Sequence, residues 1–238
     1  MIRWWAGVVL ALSSIAWPHD LITAEAAQRY LTSAVRLRQL VASSAPGEQR
    51  AEASYRLGVM LDEIRELLNR DLAAHGEVQG LPSNYLVSEL ARAGTPLEYS
   101  SRKKRYLANI RYFDEALRLA PDGPLAADAK FRLIQGVFYD SFEADPLASG
   151  ESWETQRAQI DLAESLRGAG LPQEQREELD FILVVRYVRA AGTAPDGLVR
   201  SYAQKARTAL ASFGQRYPGS LRAAAIPVLL DALDTVDR

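Results

Sequence analysis

Residues 106–133 read YLANIRYFDEALRLAPDGPLAADAKFRL, and this stretch decides the fold class. Tyr106, Ile110, Phe113, Leu117 and Ala120 recur at alternating intervals of four and three, which places their side chains on one face of an α-helix. Pro121-Asp122-Gly123-Pro124 then breaks the pattern, because proline lacks the amide hydrogen a helix needs and glycine favours turns. Beyond the break, Ala129 and Leu133 begin a second periodic run. The predicted unit is helix, breaker, helix.

The unit recurs along the chain. Pro46, Pro121, Pro172 and Pro218 are followed seven or eight residues later by Ala53, Ala129, Leu179 and Ala225, and four residues after those by Leu57, Leu133, Leu183 and Leu229. Twelve residues before three of the prolines stands a small or polar residue (Ala34, Asn109 and Ala206), with Ile160 in the remaining copy. A small side chain there lets two helices approach closely. Intervals of 75, 51 and 46 residues between the prolines are uneven and place an insertion chiefly at 73–100. Further stripes run through Tyr30, Ala34, Leu37 and Val41, through Ala53, Leu57, Leu61, Ile64 and Leu68, and through Leu179, Leu183, Tyr187 and Ala190. Gly80-Leu81-Pro82, Gly94-Thr95-Pro96 and Pro195-Asp196-Gly197 supply other breaks. About nine helices are predicted beyond residue 26, and no stretch alternates as a strand should. The β-branched cluster Phe181–Val185 sits inside a helical pattern from Pro172 to Gly192 and is expected to form the most buried helix. Composition agrees: Ala and Leu supply 69 residues against 30 for Val, Ile and Thr together.

Three pieces of this pattern carry a family resemblance: Phe113-Asp-Glu-Ala116-Leu-Arg-Leu-Ala-Pro121, the stretch from Ala209 to Ser220, and Leu57-Gly58. Together they resemble the tetratricopeptide-like repeat families. The phrase Phe213-x-x-Arg216-Tyr217-Pro218-x-Ser220, combined with an export signal, is similar to periplasmic repeat proteins of the Tol–Pal and outer-membrane-assembly type. The chain departs from that pattern in its uneven period, in lacking a bulky residue before Leu57 and in lacking a lipid-anchor cysteine. The resemblance implies an all-α solenoid of antiparallel helix pairs with a concave surface that binds a protein or peptide. Alignment on Leu57, Leu133 and Leu183 makes Tyr55, Phe131 and Phe181 equivalent, at a position the resemblance places on the concave face. Arg56 and Arg132 follow the first two aromatics, so Tyr55, Arg56, Phe131, Arg132 and Phe181 are the candidate partner-binding residues. Aromatic rings offer contact area there and guanidinium groups pair with carboxylates. The competing reading is that a recurring aromatic packs between helices.

The N-terminus reads as an address. Arg3 precedes WWAGVVLALSSIA at 4–16, an uncharged and mostly apolar stretch, and small residues suited to cleavage precede the bonds after Ala16 and Ala26. Residues 1–26 are therefore expected to be a secretory signal, leaving 27–238 as a single α-helical repeat domain. The competing reading is an uncleaved anchor, but a spanning helix needs about 20 apolar residues and Pro18-His19-Asp20 ends this run early. The chain has no cysteine and no Asn-x-Ser/Thr acceptor, which points to a bacterial periplasmic or secreted location.

Charge and residue inventory narrow the chemistry. With 28 Lys+Arg against 30 Asp+Glu the net charge is −2, so a nucleic-acid partner is not expected. Absent cysteine excludes disulfides, thiolate catalysis, iron–sulfur clusters and sulfur-ligated zinc. His75 is the only histidine beyond residue 26, sits before Gly76 at an expected helix end and makes a poor metal site alone. Ser101 with Lys104, and Ser100 with Lys103, match Ser-x-x-Lys, yet no Lys-Thr-Gly accompanies them. The basic run Arg102–Arg105 is expected to open a helix in solvent, with contact to an acidic partner or headgroup as the alternative. Glu174, Glu177, Glu178 and Asp180 are expected to complement a helix N-terminus. Asp140, Glu143 and Asp145 lack the spacing and glycine of a calcium loop. No enzyme, cofactor or metal is expected. The expected function is a protein-binding or scaffold protein of the bacterial cell envelope, with a peptidoglycan- or polysaccharide-associated accessory protein as the alternative. An enzyme built on Ser101/Lys104 or the Asp140 cluster is the third reading.

Overall fold

A computed structural model describes residues 22–76, 81–141 and 151–236. Among the described residues there are nine α-helices and one short two-stranded ribbon, so the chain is all-α apart from that ribbon. Contacts group the described residues into two compact units, one ending at Asp140 and one starting at Ser141.

The first unit opens with α1 (Ala24–Val41), whose N-terminus is capped by the Thr23 hydroxyl accepting the Ala26 amide at 3.1 Å. Ile22, just before the cap, is buried with Ala34, Leu57, Leu61, Ile64 and Leu68 in one core. The second helix, α2 (Gly47–His75), starts at Pro46 and ends on Gly76, whose φ of 79° is a left-handed turn that glycine adopts without strain. Helix α3 (Leu81–Arg92) lies in the stretch the sequence marks as an insertion. It packs on α1 and puts Leu86 and Leu90 into the same core. Helices α4 (Ile110–Leu119) and α5 (Ala126–Ser141) flank the Pro121 break. α4 packs on α2, with Phe113 fully buried against Gly58.

The ribbon corrects one expectation. Strands β1 (Tyr99–Ser100) and β2 (Arg105–Tyr106) pair antiparallel, with Tyr99 opposite Tyr106. The basic run is thus the turn of a ribbon rather than a helix start, and Lys104 takes φ 49° within it. Two distant partners impose this shape. The Asn69 carboxamide accepts the Tyr106 amide at 2.7 Å and donates to its carbonyl at 2.9 Å, as a strand neighbour would. Lys103 and Arg105 donate to the carbonyls of Asp140 and Tyr139 at the end of α5. That helix has no basic residue in its own last turn, so the ribbon supplies the positive charge its C-terminus favours.

The second unit contains α6 (Trp153–Ser165), α7 (Gln173–Thr193), α8 (Asp196–Arg216), a 3-10 turn (Leu221–Ala225) and α9 (Ile226–Val236). α7 is its centre and packs against α6, α8 and α9. Every residue from Ile182 to Ala191 is buried, as the cluster at Phe181–Val185 predicts. That burial includes Arg186, held at 2.5 Å by the Glu151 carboxylate.

Helix contact through small residues yields a paired prediction. A Cβ at Gly58 would lie 2.8 Å from the Phe113 ring, whereas one at Gly192 in α7 meets nothing within 4 Å. Alanine gains up to about 1 kcal/mol over glycine within a helix, while overpacking costs about 1–3 kcal/mol. Gly58→Ala should therefore lower the melting temperature and Gly192→Ala should raise it, as read by circular dichroism.

Candidate binding site

Of the five candidate residues, the structure brings two together. Tyr55 of α2 is half-buried and its hydroxyl donates to the Asp128 carboxylate on α5. Arg132, one turn from Asp128, pairs with that carboxylate at 2.9 Å and lies 5.9 Å above the Tyr55 ring. Arg56 points elsewhere, is exposed and pairs with Glu52 at 2.5 Å. Phe131 is 3% exposed and serves as an interior packing group. The physical reason is helix phase: α5 buries Ala129, Phe131, Ile134 and Phe138 while Leu133 stays partly exposed, so alignment on that leucine rotates the face. Phe181 is partly exposed and its ring sits 5.8 Å from that of Phe213.

A concave site lies in the second unit, where α6, α7 and α8 enclose a groove of about 1040 Å³. Leu166, Leu171, Leu179 and Phe213 line it but are themselves buried, so the side chains accessible on its walls are largely polar and charged. Its walls are fastened by two similar arrangements. The Tyr187 hydroxyl donates to Glu164 at 2.6 Å, and Lys205 stands 3.3 Å from the same carboxylate and 5.5 Å above the Tyr187 ring. The Tyr217 hydroxyl donates to Asp180 at 2.9 Å, and Arg216 pairs with that carboxylate at 2.6 Å while lying 6.0 Å above the Tyr217 ring. With Tyr55–Asp128–Arg132, the same grouping of phenol, carboxylate and overlying cation occurs three times among the described residues. Burial pushes the Glu164 carboxyl upward, but the Tyr187 hydroxyl and Lys205 outweigh it and hold the group below the ordinary carboxylate value. Burial and the bond to Glu164 drive the Tyr187 hydroxyl well above its ordinary value, so it stays a neutral donor.

Two further cations complete the rim. Arg167 follows α6, Arg176 lies in the first turns of α7, and both are exposed. Among the described residues neither makes an ion pair within 4.0 Å, whereas both groove carboxylates are engaged. These residues escaped the sequence reading because Glu164, Tyr187 and Lys205 lie on three different helices. Arg176 carried the one available signal, since a cation near a helix N-terminus opposes the dipole.

The other marked residues have structural partners. Glu177 accepts from Ser220 at 2.6 Å and lies 3.4 Å from Arg222, and Glu178 lies 3.7 Å from Arg222. The acidic cluster therefore ties α7 to the chain beyond α8, in addition to sitting at a helix start. Asp140 accepts the Ala108 amide at 2.8 Å, while Glu143 and Asp145 lie outside the described residues. His75 pairs with Asp71 at 3.0 Å at the end of α2. Ser101 and Lys104 stand in the ribbon turn. No group of three His, Asp or Glu able to hold a metal occurs among the described residues.

No protein family, curated protein or solved structure matches this chain.

Removal of the Tyr187 hydroxyl tests the fastening of the groove. Tyr187→Phe should make Glu164 titrate at higher pH by NMR and cost about 1 kcal/mol of stability at neutral pH. A carboxyl depressed in the folded state contributes stability above its ordinary value near 4.5, and loses it as pH falls through the folded value. The gap between wild type and variant should therefore narrow below that pH.

Proposed function

We propose that the chain is an exported, non-catalytic helical protein that holds a segment of a protein partner at the bacterial cell envelope, with tetratricopeptide-like helix pairs as its scaffold. The observation that carries this reading is the groove among α6, α7 and α8, with a charged rim and walls fastened by Tyr187–Glu164 and Tyr217–Asp180. A preformed surface of this kind lowers the ordering cost of binding a flexible segment. Its polar groups are engaged in holding helices together, which suits a docking surface better than a reacting one.

Export is supported by Arg3 and the apolar stretch at 4–16. Cleavage after Ala16 is the site proposed here, because it keeps Ile22 in the core and Thr23 on the α1 N-terminus. Cleavage after Ala26 would remove both, and losing such a cap alone costs about 1 kcal/mol.

In-cell cross-linking of a C-terminally tagged full chain, with mass spectrometry of product and captured proteins, tests both parts. The expected product begins at Trp17 and carries one dominant partner. Ala209→Trp, which fills the groove, should abolish capture without unfolding the chain. An unprocessed N-terminus would overturn export, and capture unaffected by Ala209→Trp would overturn the groove as the docking surface.

A further inference from the structure

We infer that the occupant of this groove is an extended acidic peptide segment, whose carboxylates replace Glu164 on Lys205 and Asp180 on Arg216 and add bonds to Arg167 and Arg176. This rests on the reading of the groove as a partner site. The chain as a whole carries a net charge of −2, yet the groove presents these four cations against two carboxylates, so its positive balance is local. The two carboxylates are already bonded to Lys205 and Arg216, and Arg167, whose charge also favours the ionised Glu164, has like Arg176 no ion pair within 4.0 Å among the described residues. Asp180 stands one turn from Arg176 on the same helix but gives its carboxylate to Arg216 and Tyr217. The acids Glu174, Glu177 and Glu178 complement the start of this helix. Arg176 is exposed at the groove and makes no ion pair within 4.0 Å among the described residues, so its guanidinium is open to a ligand carboxylate.

Exchange of carboxylates is inexpensive here. Lys205 and Arg216 have side chains 46% and 58% exposed, and ion pairs of such groups contribute little to stability. Glu164 and Asp180 therefore act as built-in competitors that hold the cations in place until a partner's acids arrive. The four cations are spread over the turn after α6, α7 and α8 around a groove of about 1040 Å³, a spacing that suits the successive carboxylates of an acidic peptide better than a single bare anion.

Fluorescence anisotropy with a short labelled peptide of alternating Glu and Phe, against its Lys and Phe counterpart, tests the inference on the mature protein. The acidic peptide alone should bind. Arg167→Glu with Arg176→Glu should weaken it by about tenfold or more. Glu164→Gln with Asp180→Asn keeps an oxygen for each tyrosine hydroxyl but removes the competing charge, and should tighten binding several-fold. A purely structural role for those acids predicts no tightening. Equal binding of both peptides, indifference to the arginine reversals, or no binding even by the amide variant would overturn the inference. So would preferential binding of polygalacturonate, which would point to an acidic glycan. Cross-linking that is lost in Ala209→Trp but survives the arginine reversals would leave the docking function standing and remove only the acidic partner.

Discussion

Helix α4 can lie on α2 because one carbon is missing. The Phe113 ring occupies the space a Gly58 Cβ would need, and the neighbouring Leu57, Leu61 and Ile64 of the same helix belong to the core of the first unit. Gly136 of α5 is under the same constraint, since a Cβ there would lie 2.7 Å from Ile110. Fully buried alanines fill the corresponding role elsewhere, including Ala34, Ala163, Ala190 and Ala206. Small residues bring backbones together, so each crossing gains dispersion contacts along two helices instead of relying on a few large side chains. That is the physical content of the alanine-rich composition.

Between the crossings, three of the polar groupings that fasten the helices among the described residues share one chemical type. A tyrosine hydroxyl and a cation share a carboxylate, and the cation also lies above the tyrosine ring, at Tyr55, Tyr187 and Tyr217. Each component offsets the desolvation of another: the carboxylate receives two donors, the cation faces both a charge and a ring quadrupole, and the phenol keeps its proton. Arg186 follows the same logic at greater depth, where Glu151 supplies the compensating charge inside the most buried helix.

Local features were legible in the sequence because their causes are local. Prolines 46, 172 and 195 stand at helix N-termini, and 121 and 218 follow helix ends, since the missing amide acts on its own turn. The burial of Ile182–Val185 was legible from its apolar run, but that of Arg186 and Arg189 was not, since a lone arginine reads as a solvated position. The ribbon was not, because the partner that makes Tyr106 extended is Asn69, 37 residues away. Nor was the inward turn of Phe131, because a two-residue offset in α5 moves a side chain to the other face. The groove draws on three helices whose mutual placement no periodicity encodes. Tyr55 and Arg132 were marked individually in the sequence, but they lie in the first unit and not in the groove, and their union through Asp128 depends on tertiary packing.

The ribbon turn also ties together segments that are remote along the chain. The last carbonyls of α5 are bound by Lys103 and Arg105, and the strand that carries Arg105 is clamped by Asn69 of α2. Fraying of α5 at Tyr139 and Asp140 therefore requires release of the ribbon, and release of the ribbon exposes those carbonyls. In hydrogen-exchange language the two form one cooperative opening unit, with the amides of the last turn of α5 and of Tyr106 sharing a single opening free energy. A helix end, ordinarily the most labile part of a helix, is thereby protected to the level of the α2 surface that holds the clamp.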